Sequence, residues 1–233
     1  MAKPLSAKHK KTHSLRQVLK GVIWDMDGVL IDSMEIHFAI WKEFFTPYQV
    51  AFTRRDFNRH FGTTNLQTIL TTLGDRVNHR EAIALSNQKQ ALFEQQAIQQ
   101  VKLIPGVKNW LEKFQSMGIP QAVASSNTQG FIESVAGHLK INHFFKAMIS
   151  AEGLESKPHP QVFLEAAKRI HADPSRCLVI EDAVAGVEGA KRAGMRCLAV
   201  TTTNPASALS GADLILNGFE QLHEELVINL FNY

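Results

Sequence analysis

The chain has 233 residues, of which 45% are hydrophobic, enough for one sizeable core with or without a smaller insertion. Six of its 25 Lys and Arg residues lie in residues 1–20, which contain no acidic residue, so the remainder carries 19 basic against 22 acidic residues. The net charge of +3 therefore comes from residues 1–20, and the rest of the chain, which is slightly acidic, gives no indication of nucleic-acid binding. No apolar run approaches the roughly 18 residues of a membrane span.

The two cysteines favour a reducing compartment. Cys177 and Cys197 each lie inside a short apolar run typical of a buried strand, where a free thiol packs as a small hydrophobic group. The basic N-terminus lacks the apolar stretch of a secretory signal. We therefore expect a cytoplasmic protein, a monomer or weak dimer, with a basic tail over residues 1–19 and no membrane or nucleic-acid partner.

Apolar, β-branched runs alternate with amphipathic stretches along most of the chain. Continuous apolar runs of strand length indicate strands buried on both faces. The expected strands are Val22–Trp24, Ala122–Ala124, a weaker Ala147–Ile149, Leu178–Ile180 and Leu198–Val200. The expected helices among them include Val107–Met117, Pro160–Ile170 and Val184–Ala193. This alternation predicts an α/β fold with a Rossmann-like parallel sheet covered on both faces.

One region breaks the alternation. No strand signal occurs between Glu35 and about Lys102, where the pattern predicts four helices at Met34–Phe45, Arg54–Phe61, Leu66–Leu73 and Arg80–Gln100. We interpret this region as an all-helical insertion after the first strand. The expected domains are a core of residues 20–35 and 103–233 and a helical cap of residues 36–102.

Polar side chains follow four of the predicted strands where each strand ends. In chain order they are Asp25 and Asp27, then Ser125, Ser126 and Asn127, then Lys157, then Glu181 and Asp182. The carboxyl ends of parallel strands share one edge of the sheet, and ligands bind at that edge. These side chains are therefore expected to form a single site.

Such a site needs a cation in addition to its lysine. Four carboxylates and one lysine cannot all stay ionised in a small pocket. Oxygen ligands in an open site suit Mg²⁺, which commonly bridges to a phosphate. The spacing of Asp25 and Asp27 lets one carboxylate attack phosphorus while the other protonates the leaving oxygen and then deprotonates water.

Four motifs in this order resemble the haloacid-dehalogenase superfamily, in the branch of β-phosphoglucomutase and small sugar-phosphate phosphatases. They are DMDGVLIDS (25–33), ASSN (124–127), SKPHP (156–160) and EDAVAGVEGAKRAGM (181–195), and the resemblance runs from about Lys20 to Val200. It implies a catalytic set in which Asp25 is the nucleophile, Asp27 the acid and base, Ser125 the phosphate-binding hydroxyl and Lys157 the neutralising cation. It also implies Mg²⁺ held by Asp25, by the backbone carbonyl of Asp27 and by Asp182, with Glu181 either a direct ligand or a residue that supports the ligands.

The resemblance implies that the helical insertion is a cap that closes over the site and contacts the substrate. The candidate substrate contacts are Ser126, Asn127, His37, Thr63, Thr64, Asn65 and Lys89. Several have a second interpretation: Ser126 and Asn127 can cap the next helix, His37 can be a packing residue, and Lys89 can lie on a solvated helix face. The small residues of Ala183–Ala190 are expected to serve close packing of a helix on the sheet.

We expect a Mg²⁺-dependent phosphatase that acts on a small phosphorylated metabolite such as a sugar phosphate. A sugar phosphomutase is the alternative, but β-phosphoglucomutase has a cap arginine for a second phosphate, and Phe61-Gly62-Thr63-Thr64-Asn65 offers none here. Whether Arg54, Arg55 or Arg59, which lie nearby in the sequence, substitute for it is left open. A phospho-accepting signalling module is a third hypothesis. Such modules are about half this length and lack an acid two residues past the nucleophile.

Overall fold

The structure is a computed structural model that describes residues 14–60 and 64–232. Its strands are β1 (Gly21–Trp24), β2 (Ile31–Asp32), β3 (Lys102–Leu103), β4 (Gln121–Ser125), β5 (Phe145–Ser150), β6 (Cys177–Glu181), β7 (Arg196–Val200) and β8 (Leu214–Leu216). Six of them form one parallel sheet in the order β5-β4-β1-β6-β7-β8. The predicted α/β class and parallel sheet are confirmed, and the five predicted strands are all present.

The helices alternate with these strands. They are α1 (Leu15–Val18), α2 (Met34–Phe45), α3 (Arg54–His60), α4 (Asn65–Leu73), α5 (His79–Ala97), α6 (Val107–Ser116), α7 (Gln129–His138), α8 (Gln161–Arg169), α9 (Val184–Arg192) and α10 (Glu224–Leu230). The sequence pattern predicted seven of these within a few residues, expected a helix after Asn127 without giving the bounds of α7, and did not anticipate α1 or α10. Among the described residues no helix is both long and apolar enough to cross a bilayer.

The sheet is buried on both faces, as its continuous apolar strands require. Alternate residues of β1 enter different cores: Val22 and Trp24 pack on one side, and Ile23 packs on the other. Trp24 is fully buried, and its indole N–H donates to Gln121 Oε1 at 3.0 Å. Burial on both faces fixes the direction of β1 and therefore the position of the polar residues that follow it.

A short two-stranded ribbon joins the sheet to the inserted helices. Strands β2 and β3 pair antiparallel, with Ile31 opposite Leu103, so the chain leaves and re-enters the core at one place. Helices α2–α5, residues 34–97, are called the helical segment below. The segment packs around its own aromatic cluster, which includes Trp41, Phe45 and Phe52. The domain boundaries drawn from the sequence stay a prediction.

Candidate active site

The carboxyl ends of β1, β4 and β6 meet at one edge of the sheet, opposite the helical segment. Between the edge and the segment lies a cavity of about 580 Å³. On the sheet side the cavity is lined by side chains that include Asp25, Asp27, Ser125, Ser126, Asn127, Lys157, Glu181 and Asp182. The structure thus brings together all eight sheet-edge residues that the sequence selected.

Lys157 connects the carboxyl ends of β1 and β6. Its ammonium donates to Asp25 Oδ1, to Glu181 Oε1 at 2.8 Å and to the carbonyl of Ala124 at 3.2 Å. The Lys157 side chain is only 8% exposed. Burial alone would lower its pKa, but the charges of Asp25 and Glu181 outweigh burial and raise the pKa. Lys157 is therefore a permanent cation in contact with two carboxylates.

Asp25 is held in a site that disfavours its charge. Burial raises its pKa to about 8, since the attraction of Lys157 offsets only part of the desolvation and the charge of Glu181 adds to it. Its Oδ1 accepts from Lys157, whereas Oδ2 accepts no hydrogen bond from any residue in 14–60 or 64–232. One carboxylate oxygen therefore remains for a metal ion or a substrate.

Glu181 is tied to the protein through both of its oxygens. Oε1 accepts from Lys157, and Oε2 accepts from the backbone N–H groups of Asp182 and Ala183 at 2.9 and 3.0 Å. A Cβ built on Gly186 would lie 1.8 Å from Glu181 Oε1. Gly186 therefore leaves the space that the glutamate occupies, a more specific role than the helix packing expected for this stretch.

The three buried acids form a group that can hold a cation. One oxygen from each of Asp25, Glu181 and Asp182 lies within 4.8 Å of the others. Burial raises the pKa of Asp182 well above its usual value, and the charges of Glu181 and Asp25 raise it further. Lys157 therefore does not neutralise the group by itself, and an all-oxygen donor set with surplus negative charge fits a hard divalent cation such as Mg²⁺.

The loop after β7 supplies two residues that support Asp182 and that the sequence reasoning missed. Thr203 donates through its hydroxyl to Asp182 Oδ2, and Asn204 donates from Nδ2 to the carbonyl of Asp182 at 3.0 Å. Both lie just after β7, at the same sheet edge as the other site residues. The rule that located the other strand ends would have located them too, because polar residues also follow this strand.

Asp27 lies in the turn that follows β1. Ser33 Oγ donates to its Oδ1 at 2.5 Å, and Asn127 Nδ2 donates to its Oδ2. His37 Nε2 lies 3.7 Å from Oδ1. Burial alone would raise the pKa of Asp27, but these three partners outweigh burial and lower it. Asp27 is thus an ionised carboxylate held on both oxygens.

The turn that presents Asp27 depends on Gly28, which has a φ of +76°. A Cβ at this position would lie 2.0 Å from Asp182 Oδ2 and 2.6 Å from Thr203 Cγ2. Both the left-handed backbone and the close approach therefore require glycine. The turn brings Asp27 and Asp182 into the same small volume.

His37 and Lys89 lie behind Asp27. The His37 ring stacks on Phe93 with centroids 3.7 Å apart, and its Nδ1 lies 2.9 Å from Lys89 Nζ. Burial, together with the charge of Lys89, lowers the pKa of His37 to about 4. His37 is therefore a neutral imidazole that lies beside Asp27 and packs on Phe93, and a contact with substrate stays a prediction.

Lys89 is fully buried, although the sequence suggested either a substrate contact or a solvated face. Its ammonium lies 4.8 Å from the Trp41 ring centroid and 5.1 Å from that of Phe93. Burial lowers its pKa to about 7. Lys89 is not among the residues that line the cavity, so a contact with substrate stays a prediction.

The loop after β4 combines one exposed and two buried polar residues. Ser125 Oγ accepts from the backbone N–H and from Nδ2 of Asn127, at 3.1 and 3.2 Å. Ser126 is exposed and also lines the cavity. The N-cap of α7 is Thr128, whose side chain accepts from Phe131 N–H. Neither Ser126 nor Asn127 therefore caps the helix.

The helical segment contributes a mixed wall to the cavity. Thr63 lies outside the described residues; Thr64 caps α4 by accepting from Gln67 N–H at 3.2 Å, and Asn65 donates to Gln90 Oε1 at 3.0 Å. The side chains of the segment that line the cavity are Met34, His37, Trp41, Phe52, Phe57, His60, Thr64, Asn65, Thr68, Ser86, Asn87 and Gln90. Lysine and arginine are absent from this described wall.

Comparisons with known proteins identify the family of the chain. The family profile described as haloacid dehalogenase-like hydrolase matches residues 22–200. The chain is 31% identical to a β-phosphoglucomutase from Bacillus subtilis (strain 168), covering 89% of this chain and 95% of that one. It is 29% identical to a bifunctional riboflavin kinase/FMN phosphatase from Arabidopsis thaliana, covering 92% of this chain but only 57% of that protein.

A solved structure shares the fold. A hydrolase of family IA, variant 3, from Entamoeba histolytica HM-1:IMSS superposes with a TM-score of 0.83 at 23% sequence identity. The match covers 92% of this chain and all of the other chain. At this identity the likeness concerns the fold.

Proposed function

The chain belongs to the haloacid dehalogenase-like hydrolase family, and within that family we propose a Mg²⁺-dependent phosphatase for a small phosphorylated metabolite. The observation that carries the proposal is the position of Asp25. Asp25 contacts the Lys157 ammonium and is one of the three buried acids that can hold a cation. It also lies two residues from Asp27, whose two carboxylate oxygens both accept hydrogen bonds. Relatives with both phosphatase and phosphomutase names are compatible with this chemistry.

Asp25 acts as the nucleophile in this proposal. An oxygen of Asp25 forms a bond to phosphorus while the bond from phosphorus to the leaving oxygen breaks, which gives an aspartyl-phosphate. Lys157 neutralises charge on the carboxylate and the arriving phosphoryl group, and the Ser125 hydroxyl donates to a phosphoryl oxygen. Water then releases inorganic phosphate and restores Asp25.

Asp27 is the general acid in formation of the aspartyl-phosphate and the general base in its hydrolysis. Its lowered pKa suits the second step, in which a carboxylate takes a proton from the attacking water. An arriving phosphate dianion raises the pKa of a neighbouring carboxyl group, which favours the protonated form needed by the leaving oxygen in the first step. Ser33 and Asn127 hold the two oxygens in place throughout.

The acids Asp25 and Asp182 would hold the Mg²⁺ ion, with the backbone carbonyl of Asp27 as a further family-like ligand. Each of these acids has a carboxylate oxygen without a hydrogen bond from the described residues, whereas both oxygens of Glu181 are engaged. Glu181 is therefore better suited to orienting Lys157 and the backbone than to direct ligation. When bound, Mg²⁺ neutralises charge on the transferring phosphoryl group.

The helical wall favours hydrolysis over phosphoryl transfer between two positions of a sugar. A mutase must hold a second phosphate, and the described cavity wall of the helical segment has no Lys or Arg to do so. Residues 61–63 are Phe, Gly and Thr, and add no cation. The wall instead offers hydroxyl and amide groups beside aromatic rings, which suits the hydroxyl-bearing leaving group of a sugar monophosphate. We propose that residues 36–102 act as a cap on such a substrate.

A panel of phosphate monoesters tests the proposal. With Mg²⁺, purified protein should release inorganic phosphate from at least one sugar or polyol monophosphate, and Asp25→Asn should abolish the release. Chelation by EDTA should also stop it, and added Mg²⁺ should restore it. No release from any ester, or release that survives Asp25→Asn, would contradict the proposal.

The phosphomutase alternative needs a separate assay. The protein is incubated with a hexose 1-phosphate and a catalytic amount of the matching bisphosphate, and the positional isomer is measured beside free phosphate. Isomer formation that exceeds phosphate release would favour the mutase. The hydrolytic proposal predicts phosphate with little isomer.

A further inference from the structure

Three side-chain amides connect the helical segment to Asp27. Asn65 Nδ2 donates to Gln90 Oε1 at 3.0 Å, and Gln90 Nε2 donates to Asn127 Oδ1 at 2.8 Å. Asn127 Nδ2 then donates to Asp27 Oδ2. Asn65 begins α4, Gln90 lies in α5 and Asn127 follows β4, so the chain of hydrogen bonds crosses from the helical segment to the sheet edge.

Carboxylates fix the direction of this chain at two points. An ionised carboxylate only accepts hydrogen bonds, so the Asn127 atom that faces Asp27 must be the nitrogen. Independently, Glu94 Oε1 lies 3.0 Å from Gln90, so the Gln90 atom that faces it must also be the nitrogen. With both ends fixed, Gln90 donates to Asn127 and all three amides point their N–H groups toward Asp27.

Glu94 also holds α5 against the sheet domain. Its Oε2 accepts from the Thr128 hydroxyl at 2.6 Å, and its Oε1 accepts from Thr128 N–H at 3.2 Å. Thr128 directly follows Asn127 and caps α7. One turn of α5 therefore forms hydrogen bonds with two successive residues of the loop after β4. Gln90 bonds to Asn127, and Glu94 bonds to Thr128.

We propose that Gln90 is a positioning residue for Asp27, acting through Asn127, so that the general acid and base is correctly oriented only when α5 is seated on the sheet edge. The proposal rests on the function proposed above. Without the donor from Gln90, Asn127 Oδ1 loses its partner on α5, and the amide can shift away from Asp27. The carboxyl group would then lose the bond that holds Oδ2 and would move out of hydrogen-bond reach of the leaving oxygen.

The leaving group separates positioning of the acid from simple closure. A sugar or glycerol phosphate releases a basic alkoxide that needs a proton, whereas p-nitrophenyl phosphate releases a stable anion that does not. A disturbed Asp27 should therefore lower kcat/KM, which reports formation of the aspartyl-phosphate, selectively for the alkyl ester. Opening of the aspartyl-phosphate also uses Asp27 but is common to both esters. A loss of cap closure alone should slow both esters to the same extent and raise KM for both.

The test measures kcat and KM for both esters with Mg²⁺ in the full chain. Gln90→Leu should lower kcat/KM for the alkyl ester by about 10-fold or more, within the range of general acid–base catalysis, and change kcat/KM for p-nitrophenyl phosphate by less than about 3-fold. Gln90→Glu should cause the larger selective loss, because its carboxylate repels Asn127 Oδ1 and competes with Asp27 for the Asn127 N–H donors. Asp27→Asn sets the maximum selectivity.

Gln88→Leu is the matched control, since Gln88 is exposed on the same helix, and it should leave both esters unchanged. If Gln90→Leu does not fold, Gln90→Met, which has a similar length and donates no hydrogen bond, supplies the comparison. Equal losses for both esters, or Gln90 variants that match the wild type, would overturn the proposal. Failure of the proposed function is distinguishable, because the wild type would then show no Asp25-dependent phosphate release at all.

Discussion

Replacing Lys89 by methionine should stabilise the fold at neutral pH. Lys89 has no exposed surface and packs between aromatic rings, where a methionine of similar length fits. Burial lowers its pKa from 10.5 to about 7. The unfolded chain therefore binds more protons than the folded chain between about pH 7 and pH 10.5, and the lysine penalises folding increasingly as the pH falls through that window.

The magnitude follows from the pKa shift. At pH 7 the penalty amounts to about 4 kcal/mol, because each pKa unit corresponds to about 1.4 kcal/mol. Methionine loses the hydrogen bond to His37, worth about 1 kcal/mol, and cation–π contacts worth about 1–2 kcal/mol. The net expectation is a gain of about 1–2 kcal/mol in the free energy of unfolding at pH 7.

At pH 9.5 the penalty falls to about 1 kcal/mol, so the gain should disappear or reverse. Urea unfolding of wild type and Lys89→Met at both pH values, with EDTA present, measures the difference. Lys108→Met is the control, because the Lys108 side chain is 65% exposed, and it should change stability by less than about 0.5 kcal/mol. A Lys89→Met variant that loses the same stability at both pH values would refute the reasoning.

Three further predictions concern the sheet edge. Gly186→Ala should lower phosphate release at least 10-fold, because the new Cβ would lie 1.8 Å from Glu181 Oε1 and displace the glutamate; steady-state kinetics measures this. Thr203→Val should weaken Mg²⁺ binding about 10- to 100-fold in calorimetric titration, because Asp182 loses an orienting hydrogen bond. Lys157→Met should cost about 3–5 kcal/mol of unfolding free energy in metal-free urea titrations at pH 9, because it leaves two buried carboxylates without a counter-charge.

Each of these has an outcome that contradicts it. Gly137→Ala, in a helix where an added Cβ meets nothing within 4 Å, should be harmless, and equal effects at positions 137 and 186 would remove the steric explanation. An unchanged Mg²⁺ affinity in Thr203→Val would show that Asp182 does not need the hydroxyl. A cost below about 1 kcal/mol for Lys157→Met would show that the carboxylates accept protons or water at little cost.

The sheet edge could be predicted because parallel strands impose it. Once four apolar runs are identified as parallel strands, the residues after them must share an edge, whatever the loops between them do. Asp25, Ser125, Lys157 and Asp182 were found in this way. Thr203 also follows a parallel strand but was overlooked. It supports Asp182 through a hydrogen bond and is not itself a nucleophile, acid, base or cation of the kind that the sequence search selected.

The helical segment could not be predicted to the same depth. Lys89 and Gln90 are neighbours on α5, yet the ammonium of the first is buried behind His37 and the amide of the second faces the cavity. Which of two adjacent residues faces the sheet depends on the rotation and crossing angle of the helix, and the weak amphipathic pattern of α5 does not encode either. The role of Gly186 likewise depends on a close approach that only coordinates reveal.

Chemical trapping of the phosphorylated residue tests the central claim most directly. Asp27→Asn is mixed briefly with p-nitrophenyl phosphate and Mg²⁺, since this ester needs no acid for its departure and the variant lacks the base that opens the intermediate. Borohydride reduction of an aspartyl-phosphate yields homoserine, which mass spectrometry locates. The account predicts homoserine at position 25 and nowhere else. Product formation with an unmodified position 25, or modification of another carboxylate, would contradict it.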